Sequence, residues 1–297
     1  MIAIDWGTSS FRAYRLDEDG RVVSSRESHA GILAIPGGDF AGTLLAEVGG
    51  WIDAGERDIV MSGMIGSRQG WREAPYVSTP AGPANIAAAL VPVDVADGLS
   101  VWIVPGLITL GPDGVHDVMR GEETQILGVL EALGPGAHRL CLPGTHSKWV
   151  DVYDAVITGF RTHMTGEVFA VLRDHSILGR TLETEAPFDA QAFEAGVARS
   201  AAPHGLLHHL FGVRAEHLAG RLEARLVRDH LSGLLIGHEL RSEPGDGPLQ
   251  LLGSAQLVQR YAHACRVLGR SAGILDPQAA ATGIGRIAHA NGMLPGS

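Results

Sequence analysis

The sequence predicts an α/β protein in which one β-hairpin-led unit is used twice, the two copies separated by a helix and a Gly-Pro-Gly stop. Three observations predict it. An apolar strand at residues 2–5 opens through Gly7-Thr8-Ser9-Ser10 into a second strand at 11–16. Another at 139–142 opens in the same way through Pro143-Gly144-Thr145-His146-Ser147 into 148–153. Between them, residues 117–133 carry Ile126, Leu127, Val129, Leu130 and Leu133 at helical spacing and stop at Gly134-Pro135-Gly136. Both turns spell Gly-Thr-x-Ser at the mouth of a hairpin, and each stands at the start of its half.

The remaining elements follow in order. A turn at Asp17-Glu18-Asp19-Gly20 leads the first hairpin into a third strand at 21–24. Residues 43–54 place Leu44, Leu45, Val48, Trp51 and Ile52 on one side of a helix. A short buried strand at 57–62 is followed by a polar, Gly-rich loop at 63–82 and a strand at 101–107. The Gly134-Pro135-Gly136 stop is the expected junction, giving an N-terminal domain of residues 1–136 and a C-terminal domain of 137–297. In the second half a third strand is expected at 155–160. The rest reads as helical, interrupted by a strand at 249–252 that ends in Gly253-Ser254 and feeds a helix at 256–267.

Composition bounds the function. A chain of 297 residues with 45% apolar and 19% charged residues can bury a core without staples. A net charge of −10 with no basic stripe argues against nucleic acid as a partner. It does not argue against a small anionic substrate, which needs only a few local Arg or Lys side chains. Cys141 and Cys265 form no framework and no metal spacing, and Cys141 in an apolar run reads as a buried structural thiol. No run approaches the roughly 18 apolar residues of a membrane span, and the N-terminus reads as a first strand. A cytoplasmic protein without a membrane partner is expected. The oligomeric state is left open, a homodimer included.

Several motifs suit phosphate chemistry. In Asp5-Trp6-Gly7-Thr8-Ser9-Ser10, a Gly at a tight turn lets backbone N–H groups face an anion, and the hydroxyls add donors. Asp5, at the strand end, is placed to hold Mg²⁺ through water. The second turn, with His146 and Lys148 as further phosphate contacts, is not a P-loop: the spacing is wrong and a strand follows it. Met119-Arg120-Gly121-Glu122-Glu123 opens a helix with acids that could orient a hydroxyl and take its proton; Glu122 is the first choice and Asp117 the second. Acids are favoured in any first helical turn, which is the structural alternative.

The loop holding Arg68 and Trp71 offers a guanidinium and an indole for a sugar acid, with Arg12 as a further cation. A solvated surface loop is the alternative. Thr165 and Glu167, in Thr162-His163-Met164-Thr165-Gly166-Glu167, either complete such a pocket or cap a helix. Gly253-Ser254, after a strand and before a helix, suits a flat adenine lying close to the backbone. The scattered histidines show no metal-ligand spacing.

These residues carry a resemblance. The paired Gly-Thr hairpins, the acidic helix and the late Gly253-Ser254 turn resemble the sugar kinase, hexokinase, heat-shock protein 70 and actin superfamily. Within it, five runs resemble the 2-dehydro-3-deoxygalactonokinase family. They are Ile4-Asp5-Trp6-Gly7-Thr8-Ser9, Ser62-Gly63-Met64-Ile65-Gly66-Ser67, Met119-Arg120-Gly121-Glu122-Glu123, Leu142-Pro143-Gly144-Thr145-His146-Ser147-Lys148-Trp149 and Met164-Thr165-Gly166-Glu167. The resemblance implies two ribonuclease-H-like lobes, the actin-like ATPase and sugar kinase fold, with ATP and Mg²⁺ in an interlobe cleft. It implies phosphorylation of the C6 hydroxyl of 2-dehydro-3-deoxy-D-galactonate, a small acidic keto-sugar, in galactonate or galactose catabolism. Phosphates are then expected between the two hairpins, on Gly7, Thr8, Ser9, Gly144, Thr145 and His146, with Lys148 stabilising charge that develops in transfer. A kinase for another acidic or neutral sugar shares these features, and so does a non-catalytic actin-like nucleotide switch. A DNA-binding regulator on this fold is not expected, since the chain opens directly on the first strand.

Overall fold

The computed structural model of the chain describes residues 1–183, 186–243, 245, 247–276 and 279–294. Strand β1 (Ile2–Trp6) turns back into β2 (Phe11–Leu16), and β3 (Val22–Ser28) pairs antiparallel on its far side. Helix α1 (Phe40–Asp53) follows, capped by Asp39, whose Oδ1 accepts the Gly42 N–H at 2.8 Å. Next come β4 (Asp58–Ser62), β5 (Tyr76–Ser78), α2 (Pro83–Ala87), β6 (Val91–Val93), β7 (Ser100–Ile103), β8 (Gly106–Leu110) and β9 (His116–Met119). One sheet runs β3-β2-β1-β4-β7-β6, with β1, β4 and β7 parallel, and β5, β8 and β9 form a small second sheet. Ile2, Ile4 and Trp6 alternate onto one face of β1 and bury with Leu44 and Val48 of α1 in one apolar cluster.

After α3 (Glu122–Leu133) the strand pattern recurs as β10 (Ala137–Leu142), β11 (Ser147–Tyr153) and β12 (Val156–His163). Then follow α4 (Thr165–His175), α5 (Ala190–Arg199), α6 (Gly205–Leu218), α7 (Ala224–Ser242), β13 (Leu249–Leu251), α8 (Ala255–Val267), β14 (Ala272–Ile274) and α9 (Ala279–Asn291). Their sheet runs β12-β11-β10-β13-β14, with β10, β13 and β14 parallel. This order repeats β3-β2-β1-β4-β7 of the first sheet strand for strand. The doubled α/β unit read from the sequence is therefore present as a doubled sheet topology.

By compactness the chain forms two units. The first joins Met1–Ala137, Val150–Arg161 and Asp276–Ser297; the second joins His138–Trp149 and Thr162–Leu275. Compactness thus groups the chain differently from the continuous spans 1–136 and 137–297. The reason is helical packing within the first unit. α9 lies against α3, and a methyl group at Gly128 or Gly283 would collide with the carbonyl of Ala279 or Thr124. Only glycines allow backbones to approach this closely. Residues 150–161 join the same unit through a bridge between Ile157 and Ala81. In the second unit α7 packs against α4, α5, α6 and α8 and is buried along most of its length.

Four local expectations change. The helix expected over 117–133 begins only at Glu122, because residues 116–119 are strand β9 and Gly121 takes a φ of +105° that a helix cannot continue through. The strand expected over 101–107 is two strands, β7 and β8, separated at Val104-Pro105. The polar loop over 63–82 includes β5, and β14 lies in the stretch read as helical. Among the described residues no helix is long and apolar enough to cross a membrane.

Candidate active site

The first Gly-Thr turn joins β1 to β2. The Gly7 N–H donates to the Ser10 carbonyl at 2.9 Å, and the Gly7 and Thr8 carbonyls accept the N–H groups of Ile32 and Leu33 at 3.0 and 3.3 Å. Gly31 approaches so closely that any methyl there would strike Thr8 and Ser9. The turn is thus held from one side by backbone while the side chains of Thr8 and Ser9 stay exposed.

Asp5 is the penultimate residue of β1, opposite Arg12 of β2 and beside Ser62 of β4. Its Oδ2 lies 3.5 Å from Arg12 Nη1. Burial raises the Asp5 pKa, and the Arg12 charge works against that rise. Arg12 also meets Glu27, at 3.0 Å. A methyl at Gly63, whose φ is +93°, would lie 2.8 Å from the Trp6 carbonyl and 3.3 Å from Asp5 Oδ1. One at Gly121 would lie 3.3 Å from the Gly63 Cα. The ends of β1 and β4 and the head of α3 therefore converge on Asp5.

Two acids stand at that helix head, and they differ. Glu122 is half-buried, and its Oε2 accepts the Arg120 N–H at 3.0 Å. Glu123 is fully buried; its Oε2 accepts the Gly121 N–H at 2.6 Å, and Ser62 Oγ lies 3.5 Å from its Oε1. Burial, reinforced by the Glu122 charge, pushes the Glu123 pKa up to about 8. Asp117 is not part of this turn. It lies on β9 opposite Thr109, and its Oδ1 accepts the Val118 N–H at 2.7 Å.

In the 63–74 loop, Arg68 projects into solvent, 86% exposed, and pairs with Glu73 at 3.0 Å. Trp71 stacks on Phe40 with ring centroids 6.2 Å apart, so its ring is partly committed to the core cluster. Arg120 ties this loop to the head of α3: its Nη2 donates to the Ala74 carbonyl at 2.7 Å and its guanidinium lies 4.6 Å over the Tyr76 ring.

The second Gly-Thr turn is built from the second unit alone. A methyl at Gly166 would strike the Gly144 carbonyl and lie 2.8 Å from Thr145 Cα, and the Glu167 N–H donates to the Thr145 carbonyl at 2.9 Å. His146 and Glu167 are hydrogen-bonded through Nε2 and Oε2. Thr165 is the first residue of α4 and its side chain does not cap the helix; Met164 holds the cap position. Lys148 is only 6% exposed, and its Nζ donates to Thr162 Oγ1 at 2.7 Å. Gly253, with a φ of +152°, brings the strand end within van der Waals reach of the Pro143 carbonyl, and Ser254 precedes α8.

Beside this turn lies a cavity of 410 Å³ lined by Gly144, Thr145, Thr165, Gly166, Gln256 and Tyr261, among others. It brings together Gly144 and Thr145 with the start of α8, which follows Gly253-Ser254. Thr165, expected with the sugar-binding residues, lines this cavity and belongs beside the second turn, as does Glu167. Arg68 and Trp71 lie in the other unit. Sequence reasoning named Arg120 and Glu123 only as members of the helix-opening run and passed over Tyr261. Two adjacent acids look alike until burial separates them, and a tyrosine inside a helical run carries no signal of its own.

A doubled five-strand sheet order with a Gly-Thr turn at each first strand is the arrangement of the actin-like ATPase fold. A family model described as 2-keto-3-deoxy-galactonokinase matches residues 5–287, and the chain belongs to that family. The chain is 38% identical over 294 residues to the 2-dehydro-3-deoxygalactonokinase of Escherichia coli strain K12, covering 97% of each. A crystal structure from Sinorhizobium meliloti, provisionally named as the same kinase, matches with a TM-score of 0.89 and 38% identity over 97% of this chain and 98% of that one. An activator of 2-hydroxyisocaproyl-CoA dehydratase from Clostridium difficile, solved with ADPNP, shares the fold at 11% identity and a TM-score of 0.50. It covers 99% of this chain and 95% of that one.

Proposed function

We propose that this kinase transfers the γ-phosphoryl group of ATP to the C6 hydroxyl of 2-dehydro-3-deoxy-D-galactonate, giving the 6-phosphate and ADP in cytoplasmic galactonate catabolism. The family match over residues 5–287 carries the proposal. The two units divide the work. In the second, the nucleotide occupies the cavity, its base near Gly253-Ser254 and its phosphates on the backbone of Gly144 and Thr145. The head of α4 at Gly166 adds the positive end of a helix dipole beside that turn. His146 and Lys148 flank it and supply donors and charge.

In the first unit, Gly7, Thr8 and Ser9 form the second phosphate contact. Glu122 orients the acceptor hydroxyl and takes its proton as that oxygen bonds to the γ-phosphorus and the bond to ADP breaks. Glu123 keeps its own proton near neutrality and leaves the Glu122 carboxylate less repelled. Arg68, Arg12 and Trp71 recognise the sugar acid, whose carboxylate a neutral hexose lacks.

Asp5 is the residue that would hold Mg²⁺. Among the described residues no three His, Cys, Asp or Glu side chains group as a metal cage. A single carboxylate at the strand end fits a cation that keeps most of its waters and takes phosphate oxygens as ligands. When bound, Mg²⁺ neutralises phosphate charge. A coupled assay of ADP release with the keto-sugar acid as acceptor tests the proposal.

A further inference from the structure

Next to the cavity, four elements of the second unit meet on one buried carboxylate. Glu239 of α7 is 4% exposed. Its Oε1 accepts the Trp149 Nε1–H of β11 at 2.8 Å and lies 3.9 Å from Cys141 Sγ of β10. Its Oε2 accepts the Tyr261 hydroxyl of α8 at 2.6 Å. The Tyr261 oxygen is also 2.9 Å from Ser147 Oγ, the serine of the second Gly-Thr turn. A phenol has one proton, so with Tyr261 donating to Glu239 the Ser147 hydroxyl donates to Tyr261. The donors thus run in one direction, from the turn through the cavity wall to the carboxylate.

The surrounding cluster is apolar, formed by Cys141, Trp149, Phe193, Val258 and their neighbours. A carboxylate there is unfavourable for stability alone and is retained only when its oxygens are well bonded. Only a carboxylate accepts from both Trp149 and Tyr261, since a carboxamide would turn a donor toward one of them.

We infer that Glu239 is a positioning residue for the nucleotide, holding Tyr261 against the cavity and, through it, Ser147 and the 143–147 turn. The inference rests on the assignment of the cavity to the nucleotide. The test is calorimetric ADP binding and steady-state kinetics on the full chain, with thermal melts to establish folding. The variants are Glu239→Gln, Tyr261→Phe and Ala170→Trp; Ala170 of α4 also lines the cavity, so the last places an indole in it. Loss of a bond to a buried charged group predicts that Glu239→Gln and Tyr261→Phe each raise the ADP Kd and the KM for ATP about tenfold or more. The KM for the sugar acid stays as in the wild type, a split that a merely structural role would not produce. ADP affinity unchanged in folded Glu239→Gln overturns the inference. If that variant does not fold, Tyr261→Phe decides by the same criterion. If Ala170→Trp binds ADP as tightly as the wild type, the cavity is not the nucleotide site and the inference falls with that assignment. Lost ADP binding in Ala170→Trp together with normal binding in Glu239→Gln overturns the role of Glu239 alone.

Discussion

The Glu123 carboxyl accepts the Gly121 N–H at 2.6 Å at the head of α3, wholly out of reach of solvent. Burial raises its pKa to about 8, so the folded chain holds a proton that the unfolded chain releases near pH 4.5. The folded state therefore binds more protons across that window, and stability falls as pH rises through it. Glu123→Gln mimics the protonated carboxyl and keeps an acceptor for Gly121. Thermal melts between pH 5 and about 8 should show a flatter dependence in Glu123→Gln than in the wild type. Equal slopes would mean that Glu123 is ionised in the folded state.

Glu122 sits one residue away and takes the other role. Its carboxylate is held by the Arg120 N–H at 3.0 Å and is half-buried where Glu123 is sealed. As the base for the acceptor hydroxyl, Glu122→Gln should lower kcat by about 10²–10⁴-fold with both KM values little changed. An unaltered kcat would remove Glu122 from the mechanism and reopen the choice of base.

Arg68 allows a cleaner separation of binding from stability. Its side chain is 86% exposed, and its pairing with Glu73 contributes little to folding. Arg68→Met should leave the melting temperature unchanged and raise the KM for the sugar acid by roughly tenfold, the effect of one charge-assisted hydrogen bond. A normal KM would return the loop to the role of a solvated surface.

Gly166 tests the packing under the second turn. A methyl there would strike the Gly144 carbonyl, so Gly166→Ala must push the turn away from α4. Overpacking of this kind costs about 1–3 kcal/mol, and the KM for ATP should rise with that loss. Wild-type stability and ATP KM together would show that the turn moves freely.

The sequence made the doubled unit legible because a strand, a Gly-Thr turn and a second strand are local features. The match of β3-β2-β1-β4-β7 to β12-β11-β10-β13-β14 then follows from repeating that local unit. Asp5, Gly144 and Thr145 are candidates for the same reason, each standing at one of these turns. Asp117 was placed on a helix because Val118 and Met119 suit either period, and only the positive φ of Gly121 makes the break. That Thr165 lines the cavity beside the second turn was not legible, because neighbours in sequence do not reveal which cavity a turn borders. Glu239 gave no sign at all. A glutamate inside a helical run reads as a solvated face, and its meaning comes from Trp149 and Tyr261, which lie far from it in the chain.

Substrate choice tests the proposed reaction most directly. Purified protein would be supplied with ATP, Mg²⁺ and either 2-dehydro-3-deoxy-D-galactonate, its gluconate epimer or a neutral hexose, while ADP release is followed. The galactonate compound should give the highest kcat/KM and the neutral hexose little or none. No ADP release with either keto-sugar acid would contradict the proposed reaction.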